Sequence, residues 1–183
     1  MTDIDITNIV GTIEYGQRFD LGAVAKGLEN RDEVQKINYD PSELHLIHSW
    51  WDGVYVAFYQ NGTCSTVGHD SVESFEQVVH TINTAMEDMI GFDDTPEVSI
   101  KNIVATAELG SIPSLELIAV SLGFEKVEYE PEQFGGLIRT FEDGVVMVFS
   151  TGKVVCTGCS SVEQAQQIVD TIESEIQAIT ESG

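Results

Sequence analysis

The chain has 183 residues, 42% of them hydrophobic, which is enough apolar material for one substantial core or two small ones. Its 31 acidic residues against 8 basic ones give a net charge of −23. Periodic apolar segments argue against disorder as the reason for this charge. We interpret the charge as an adaptation to concentrated salt, with an acidic interaction surface as the alternative. With no apolar run of about 18 residues, no secretory signal pattern and only three cysteines, we expect a cytoplasmic protein without a membrane span or a disulfide framework.

Two decapeptides, TNIVGTIEYG at residues 7–16 and KNIVATAELG at residues 101–110, repeat one strand-like pattern along the chain. Each is followed by a segment in which apolar residues recur at i, i+3, i+4 and i+7, the spacing of one helix face. Asp20 precedes the first segment and Ser114 the second, and both residue types favour the N-cap position. The sequence therefore predicts a strand and a short helix at the start of each half.

A second matching region follows in each half. The stretches GVYVAFYQNG and GVVMVFSTG are typical of strands that end at glycine turns. Each half then closes with a long amphipathic helix, for which Asp70 with Glu73, and Ser160 with Glu163, have capping-box spacing. Each half is thus predicted to contain a strand, a short helix, four further strands and a long helix. The predicted domains are a first repeat at 1–90, a linker at 91–98 and a second repeat at 99–183.

This order of elements predicts an α+β fold. Two repeats related by a pseudo-twofold axis would share one curved antiparallel sheet of about ten strands, with the two long helices on its convex side and its other face uncovered. Asn8 and Asn102 lie in mid-strand, where a buried Asn would need several hydrogen-bond partners; on the uncovered face it needs none from the protein, so we expect both there. Because alternate residues of a strand share a face, we group further positions with them: Val10, Thr12, Val104, Thr106, Val54, Val56, Phe58, Val145, Met147 and Phe149.

The stretches KNIVATAELG, VEYEPEQFGGLI and VVMVFSTGKVVCTG in the second half, with TNIVGTIEYG and YDPSEL in the first, resemble the TATA-box-binding protein family, the saddle-shaped general transcription factors of archaea and eukaryotes. The resemblance spans essentially the whole chain and is closer in the second half. It implies a protein that binds the minor groove of an A·T-rich promoter element, bends the DNA and recruits transcription factor B and, through it, RNA polymerase.

The resemblance also implies which residues contact DNA. Asn8 and Asn102 match two family asparagines that contact base edges at the centre of the site. Phe134 and Phe149 match one of two pairs of aromatic wedges that the family inserts between base steps. Further positions of the implied DNA surface are Val10, Val104, Val155 and Thr157.

The first half departs from the family pattern. Phe58 matches one wedge of the other pair, but Leu44 stands where its second Phe would be. Lys153 in the second half matches a lysine that contacts phosphate. Trp50 and Thr140 occupy the positions at which the family carries an arginine.

No Lys or Arg occurs from residue 37 to residue 100, although DNA binding ordinarily depends on cationic side chains that neutralise phosphates. Two accounts remain open. In the first, the protein binds DNA at high salt through cations trapped between carboxylates and phosphates, and its affinity rises with salt. In the second, it is a divergent paralogue that binds transcription factor B or a regulator without strong DNA binding. We favour the first, because the wedge and asparagine positions are better preserved than the charges.

The remaining motifs concern partners and chemistry. In the family, transcription factor B docks on the outer end of the second repeat, which points to Glu130 and Glu132 as its contacts here. The sequence leaves open whether the free protein forms a homodimer through its apolar face. No catalytic triad, phosphate-binding glycine loop or zinc ligand cluster stands out, so we expect no enzymatic activity, no metal and no cofactor. Cys156 and Cys159 form a C-x-x-C pair that we interpret as structural thiols.

Overall fold

The computed structural model of the chain describes residues 2–42 and 45–182. The chain forms two compact units: residues 8–101, called the first unit here, and residues 1–7 together with 102–183, called the second unit. Both units combine antiparallel strands with helices, so the predicted α+β class is confirmed. Among the described residues, no helix has the length and apolar character needed to cross a membrane.

The first unit contains the predicted sequence of elements. Its elements are β1 (Asp5–Glu14), α1 (Leu21–Leu28), β2 (Val34–Asn38), β3 (Leu46–Trp51), β4 (Val54–Tyr59), β5 (Thr63–His69) and α2 (Val72–Ile90), and β1 begins in residues assigned to the second unit. The strands lie in the order β2-β3-β4-β5-β1 and each neighbouring pair is antiparallel. Helix α2 packs on β5, and α1 packs on α2, β2 and β3, so both helices cover one face of the sheet.

The second unit has one strand fewer than predicted. Its elements are β6 (Glu97–Glu108), α3 (Leu115–Leu122), β7 (Gly136–Phe141), β8 (Gly144–Phe149), β9 (Lys153–Cys159) and α4 (Val162–Ser182), with strand order β6-β9-β8-β7. Between α3 and β7 the chain makes a single bridge, from Glu128 to Ile138, and then turns at Pro131. The described residues therefore hold nine strands, against about ten expected from the repeat.

Residues 2–7 are tied to the long helix α4. The backbone N–H and the hydroxyl of Thr2 donate to the carboxylate of Glu173, at 2.9 and 2.7 Å. Gln166 Nε2 in turn donates to the Thr2 carbonyl oxygen at 2.8 Å. This part of the chain thus completes the second unit although it is first in the sequence.

Side-chain caps begin all four helices. Asp20 and Ser114 accept hydrogen bonds from the backbone N–H groups of Ala23 and Leu117, so both predicted caps of the short helices are confirmed. The long helices are capped one residue later than predicted. Ser71 and Ser161 are their caps, and accept from the N–H groups three residues further on. The predicted caps Asp70 and Ser160 lie just outside the helices, because the serine that follows each of them supplies the capping oxygen.

One hairpin glycine in each unit touches the loop that follows the first strand. Gly62 accepts a hydrogen bond from the Tyr15 N–H, and Gly152 accepts one from the Leu109 N–H. Both glycines have positive φ, at 91° and 88°. A Cβ on Gly152 would collide with the carbonyl oxygen of Gly110, so only glycine allows the two backbones to approach this closely.

We predict that Gly152→Ala destabilises the protein much more than Gly110→Ala. Both glycines have positive φ, but a Cβ on Gly110 meets no atom within 4 Å. The Gly110 variant should lose about 1–2 kcal/mol from backbone strain alone. The Gly152 variant should lose about 2 kcal/mol more, because the hairpin must move away from the loop. Guanidinium unfolding at constant potassium chloride measures both, and equal losses would contradict the close-approach explanation.

A buried histidine lies in the sheet of the first unit. His69 at the end of β5 is fully buried, with Nε2 at 2.9 Å from the Thr66 hydroxyl and its ring edge-on to Phe75. Its Nδ1 has no hydrogen-bond partner among the described residues. Burial lowers the pKa of His69 below its usual value, and the neighbouring Asp70 opposes this only partly. The folded state therefore favours the neutral ring.

We predict that this histidine makes the protein less stable in mild acid. The pKa of His69 is lower in the folded than in the unfolded state. Its contribution to the free energy of unfolding is therefore complete above the unfolded pKa of about 6.5. As the pH falls below that value, the contribution is lost by at most about 1.4 kcal/mol per pH unit. Unfolding free energies measured between pH 7.5 and 5 should show this loss, and His69→Gln should reduce it. His80→Gln, at an exposed position of α2, is the control; an identical pH profile for both variants would contradict the assignment.

Candidate nucleic-acid interface

Each unit has a sheet face that its helices leave uncovered, called the outer face here. In β1 the buried residues Ile9 and Ile13 alternate with the half-buried Asn8, Val10 and Thr12. The same alternation in β6 buries Ile103, Ala105 and Ala107 and places Asn102, Val104 and Thr106 on the outer face. In each of these two strands, the three positions that we predict to share a face do so in the structure.

Both asparagines hold a bulge in the neighbouring strand. The β1–β5 register shifts between Ile9 and Val10, and Gly68 is the extra residue; its φ is 111°. The N–H of Gly68 donates to Asn8 Oδ1 at 2.9 Å. In the second unit, the register shifts in the same way beside Gly158, whose N–H donates to Asn102 Oδ1 at 2.7 Å. A bulge removes a backbone amide from the ladder, and the Asn side chain supplies its acceptor.

This bond differs from the sequence expectation and fixes how each amide points. On the uncovered face neither asparagine needs a partner from the protein, yet each accepts at least one backbone hydrogen bond. The Thr157 hydroxyl also donates to Asn102 Oδ1, at 3.3 Å. Since the carbonyl oxygen is engaged with the bulge, the NH₂ group is the end of the amide that is left for a ligand. Each unit therefore presents a hydrogen-bond donor on its outer face.

The second unit carries a pair of phenylalanine rings at the end of this face. Phe134 is 36% exposed, and its ring is 5.7 Å from that of the half-buried Phe149, in an edge-to-face arrangement. Gly136 makes room for the pair, because a Cβ there would lie 2.8 Å from the Phe134 ring and 3.2 Å from the Phe149 ring. The structure thus brings together the two wedge residues that the resemblance implies for this half.

In the first unit, the choice of Phe58 as a wedge is wrong. Phe58 is fully buried, with its ring 6.2 Å from that of Trp51 in the core. The registers of the two hairpins show which residues of the two units are equivalent. Trp51 pairs with Val54 in the first hairpin, and Phe141 pairs with Gly144 in the second. Counted from these pairs, Tyr59 corresponds to Phe149.

Val54 and Val56, which we grouped with Phe58 on the uncovered face, are also buried. A one-residue shift of register moves a side chain to the opposite face. Tyr59, 38% exposed, holds the outer position in this unit. Leu44, the other expected wedge of this half, lies outside the described residues.

The remaining implied contacts lie on or beside the outer face. Val10, Val104, Val155 and Thr157 are half-buried. Lys153 is exposed at the start of β9, opposite Glu108 in the ladder. Glu130 and Glu132 are exposed in the turn before Phe134, where the Glu130 carbonyl oxygen accepts from the N–H of Phe134.

Negative charge is scarce on the outer face, despite the 31 acidic residues of the chain. Among the described strand residues that alternate onto this face with Asn8 and Asn102, carboxylates occur only at Glu14 and Glu108, the last residues of β1 and β6. The middle of each sheet instead carries hydroxyl, amide, aromatic and aliphatic groups. A polyanion can approach such a surface without meeting carboxylates directly.

The C-x-x-C pair is buried beneath the second unit's bulge. Cys156 and Cys159 are both inaccessible to solvent, with their Sγ atoms 3.6 Å apart. Burial raises the pKa of Cys156 to about 12 and raises that of Cys159 as well. Because the thiolate is the reactive form, these cysteines have the environment of structural thiols.

Each of the two α+β units carries a donor amide and aromatic side chains on its own uncovered sheet face, the feature of a duplicated β-sheet protein that binds a ligand on its strands. The sequence profile described as "Transcription factor TFIID (or TATA-binding protein, TBP)" matches residues 97–179. The TATA-box-binding protein of Haloarcula marismortui is 38% identical over 92% of this chain and 90% of that protein. TATA-box-binding protein E of Halobacterium salinarum is 34% identical over 98% of each chain.

The solved structures agree with these relatives. The structure of Methanococcus jannaschii TBP has a TM-score of 0.76 and 32% sequence identity, and the match covers 96% of this chain and 99% of that one. The chain belongs to the TATA-box-binding protein family. The resemblance drawn from the sequence motifs is thereby confirmed.

We predict that the oxygen of Asn102 contributes to stability independently of any ligand. Asn102→Ala leaves the Gly158 N–H without its side-chain acceptor and should cost about 1 kcal/mol. Asn102→Asp keeps an acceptor oxygen at the same place and should unfold close to the wild type. Guanidinium unfolding at constant potassium chloride compares the three proteins. An alanine variant as stable as the wild type would show that the bulge does not depend on this hydrogen bond.

Proposed function

We propose that this protein is a general transcription initiation factor that binds the minor groove of an A·T-rich promoter element. The single observation that carries the proposal is the fixed amide of Asn8 and of Asn102, with its oxygen held by a bulge glycine. The minor groove of A·T pairs offers only acceptors, adenine N3 and thymine O2, and an outward NH₂ group is a suitable donor for them. The names of the relatives support the same substrate.

The aromatic residues would bend the DNA. Apolar side chains that enter between base steps unstack them and kink the duplex away from the protein in the minor groove. In the second unit the wedges are Phe134 and Phe149, which are packed edge to face. In the first unit the wedge is Tyr59, with Leu44 as its partner. Val10, Val104 and Val155 would contact the groove between the wedges, and Thr157 would contact it beside Asn102.

Protein partners would bind at the end of the second unit. Glu130 and Glu132 lie in the exposed turn before Phe134, where basic residues of transcription factor B can reach them. Transcription factor B would then bring RNA polymerase to the promoter in the cytoplasm. The protein is not an enzyme in this proposal, because its role is to position DNA and partners. When no DNA is present, the apolar outer face would pair two copies in a homodimer.

The salt dependence would differ from that of a basic DNA-binding protein. Binding releases about 0.9 counterion for every phosphate that a cationic side chain neutralises, which weakens affinity as salt rises. Here cations from solution would screen the carboxylates around the outer face. We therefore expect affinity for A·T-rich duplex to rise between low and molar potassium chloride.

An electrophoretic or fluorescence anisotropy titration at molar potassium chloride tests this function. Wild-type protein should bind an A·T-rich promoter duplex and prefer it over a G·C-rich duplex of equal length. Asn102→Asp should bind about 5- to 150-fold more weakly, because it loses its donor to the groove, which corresponds to about 1–3 kcal/mol. Because this variant keeps the bulge acceptor and should remain folded, its weaker binding would report on the interface and not on unfolding.

Two results would contradict the proposal. The first is folded wild-type protein, as shown by circular dichroism, that binds no A·T-rich duplex at any salt concentration. If the same protein captures transcription factor B without DNA, it is the divergent interaction module considered as the alternative. The second is an Asn102→Asp variant that binds as tightly as the wild type, which would remove the amide from the interface.

A further inference from the structure

A row of paired residues crosses the outer face of the first unit from its edge strand to β1. Lys36 on β2 pairs with Trp50 on β3, Trp50 with Tyr55 on β4, Tyr55 with Val67 on β5, and Val67 with Val10 on β1. Residues that pair across antiparallel strands project from the same face of the sheet. Lys36 therefore lies on the same face as Val10, at the far edge of the sheet.

The side chains of this row support one another. The ammonium group of Lys36 is 4.9 Å from the centre of the Trp50 ring, and the Trp50 ring meets the Tyr55 ring edge-on at 5.4 Å. The Tyr55 hydroxyl is 2.5 Å from His48 Nδ1. We call these four residues, Lys36, His48, Trp50 and Tyr55, the edge cluster. Because the tryptophan ring attracts the ammonium group, the lysine is kept over the sheet instead of extending freely into solvent.

The described residues of the second unit form no such cluster. The positions equivalent to Trp50 and Tyr55 are Thr140 and Val145, which pair in the same register. Strands β7 to β9 contain two cationic residues. Arg139 points to the helix side, where it forms an ion pair with Glu175 of α4, and Lys153 is exposed at the start of β9. The equivalent of Lys153 in the first unit is Thr63. The two units thus place their cationic groups at different points.

Lys36 is the one cationic side chain among the described residues of β1 to β5. Its ammonium group lies over the ring of Trp50 on the neighbouring strand β3. A positive charge on an otherwise uncharged stretch of sheet is complementary to a phosphate, and the row is continuous with Val10 at the proposed interface.

We infer that Lys36, positioned by Trp50, binds a phosphate of the DNA backbone at the edge of the first unit. This inference rests on the proposed function and adds a residue that the family pattern does not supply. Trp50 acts through Lys36, because the Trp50 ring determines the position of the Lys36 ammonium group. The edge cluster thereby gives the first unit a phosphate contact within a half that has no Lys or Arg from residue 37 to residue 100.

The test is a salt titration of DNA affinity for matched single-charge variants. Lys36→Gln removes the charge under study. Lys26→Gln removes one charge from an exposed position on α1, a helix that packs on the opposite face of the sheet, and is the control for the change in net charge. Lys36→Arg keeps the charge. All are compared with wild type on the same A·T-rich duplex, from molar potassium chloride down to the lowest concentration at which circular dichroism shows every variant folded.

Loss of one phosphate contact should change the slope of log affinity against log salt by about 0.9 in the positive direction. At the lowest salt, Lys36→Gln should bind about three- to tenfold more weakly than wild type, with Lys36→Arg close to wild type and Lys26→Gln unchanged. Trp50→Ala should give part of the same loss. A purely structural cation–aromatic pair would alter thermal stability but not the salt slope.

Two results overturn the inference in distinguishable ways. If wild type binds and Lys36→Gln matches Lys26→Gln in affinity and slope, the lysine does not contact phosphate, and the proposed function stands. If wild type and every lysine variant fail to bind any duplex while folded, the proposed function fails and the phosphate contact fails with it.

Discussion

The hydrogen bond from a bulge glycine to an asparagine oxygen is the constraint on which the outer face of each unit depends. It satisfies a backbone amide that the bulge removes from the ladder, and it leaves the NH₂ group as the free end of the side chain. Without it the amide could rotate and present either a donor or an acceptor. The two ends of the asparagine amide thus have different roles: the oxygen stabilises the sheet, and the NH₂ group is available to a ligand.

The two units use a common framework for different surfaces. Gly136 leaves space for the edge-to-face pair of Phe134 and Phe149, whereas the first unit has Leu46 at the equivalent position, paired with Tyr59. Aromatic and histidine side chains at the far edge of the first unit replace the aliphatic and hydroxyl groups of the second. The two units therefore present chemically different outer faces, although their strand pairing repeats.

Much of this arrangement could be predicted from residue patterns, and the errors have a physical cause. Asp20 and Ser114 cap the short helices as expected, since capping depends on local sequence alone. Phe58 was misplaced because strand faces alternate with a period of two. The turns make Val54, and not Gly53, the equivalent of Gly144, which places Phe58 on the helix side of the sheet. Lys36 could not be linked to Trp50 from sequence, because strand pairing across a long loop is not a local property.

The division of the chain into units has a consequence for biosynthesis. Residues 8–101 form one uninterrupted stretch, so the first unit is complete before most of the second has been translated. Residues 2–7 are translated before the first unit, yet their hydrogen-bond partners Gln166 and Glu173 are translated long after it. Residues 2–7 therefore cannot reach these partners until α4 has been made. A nascent chain arrested before residue 166 would hold every residue of the first unit, with residues 2–7 not yet docked on α4.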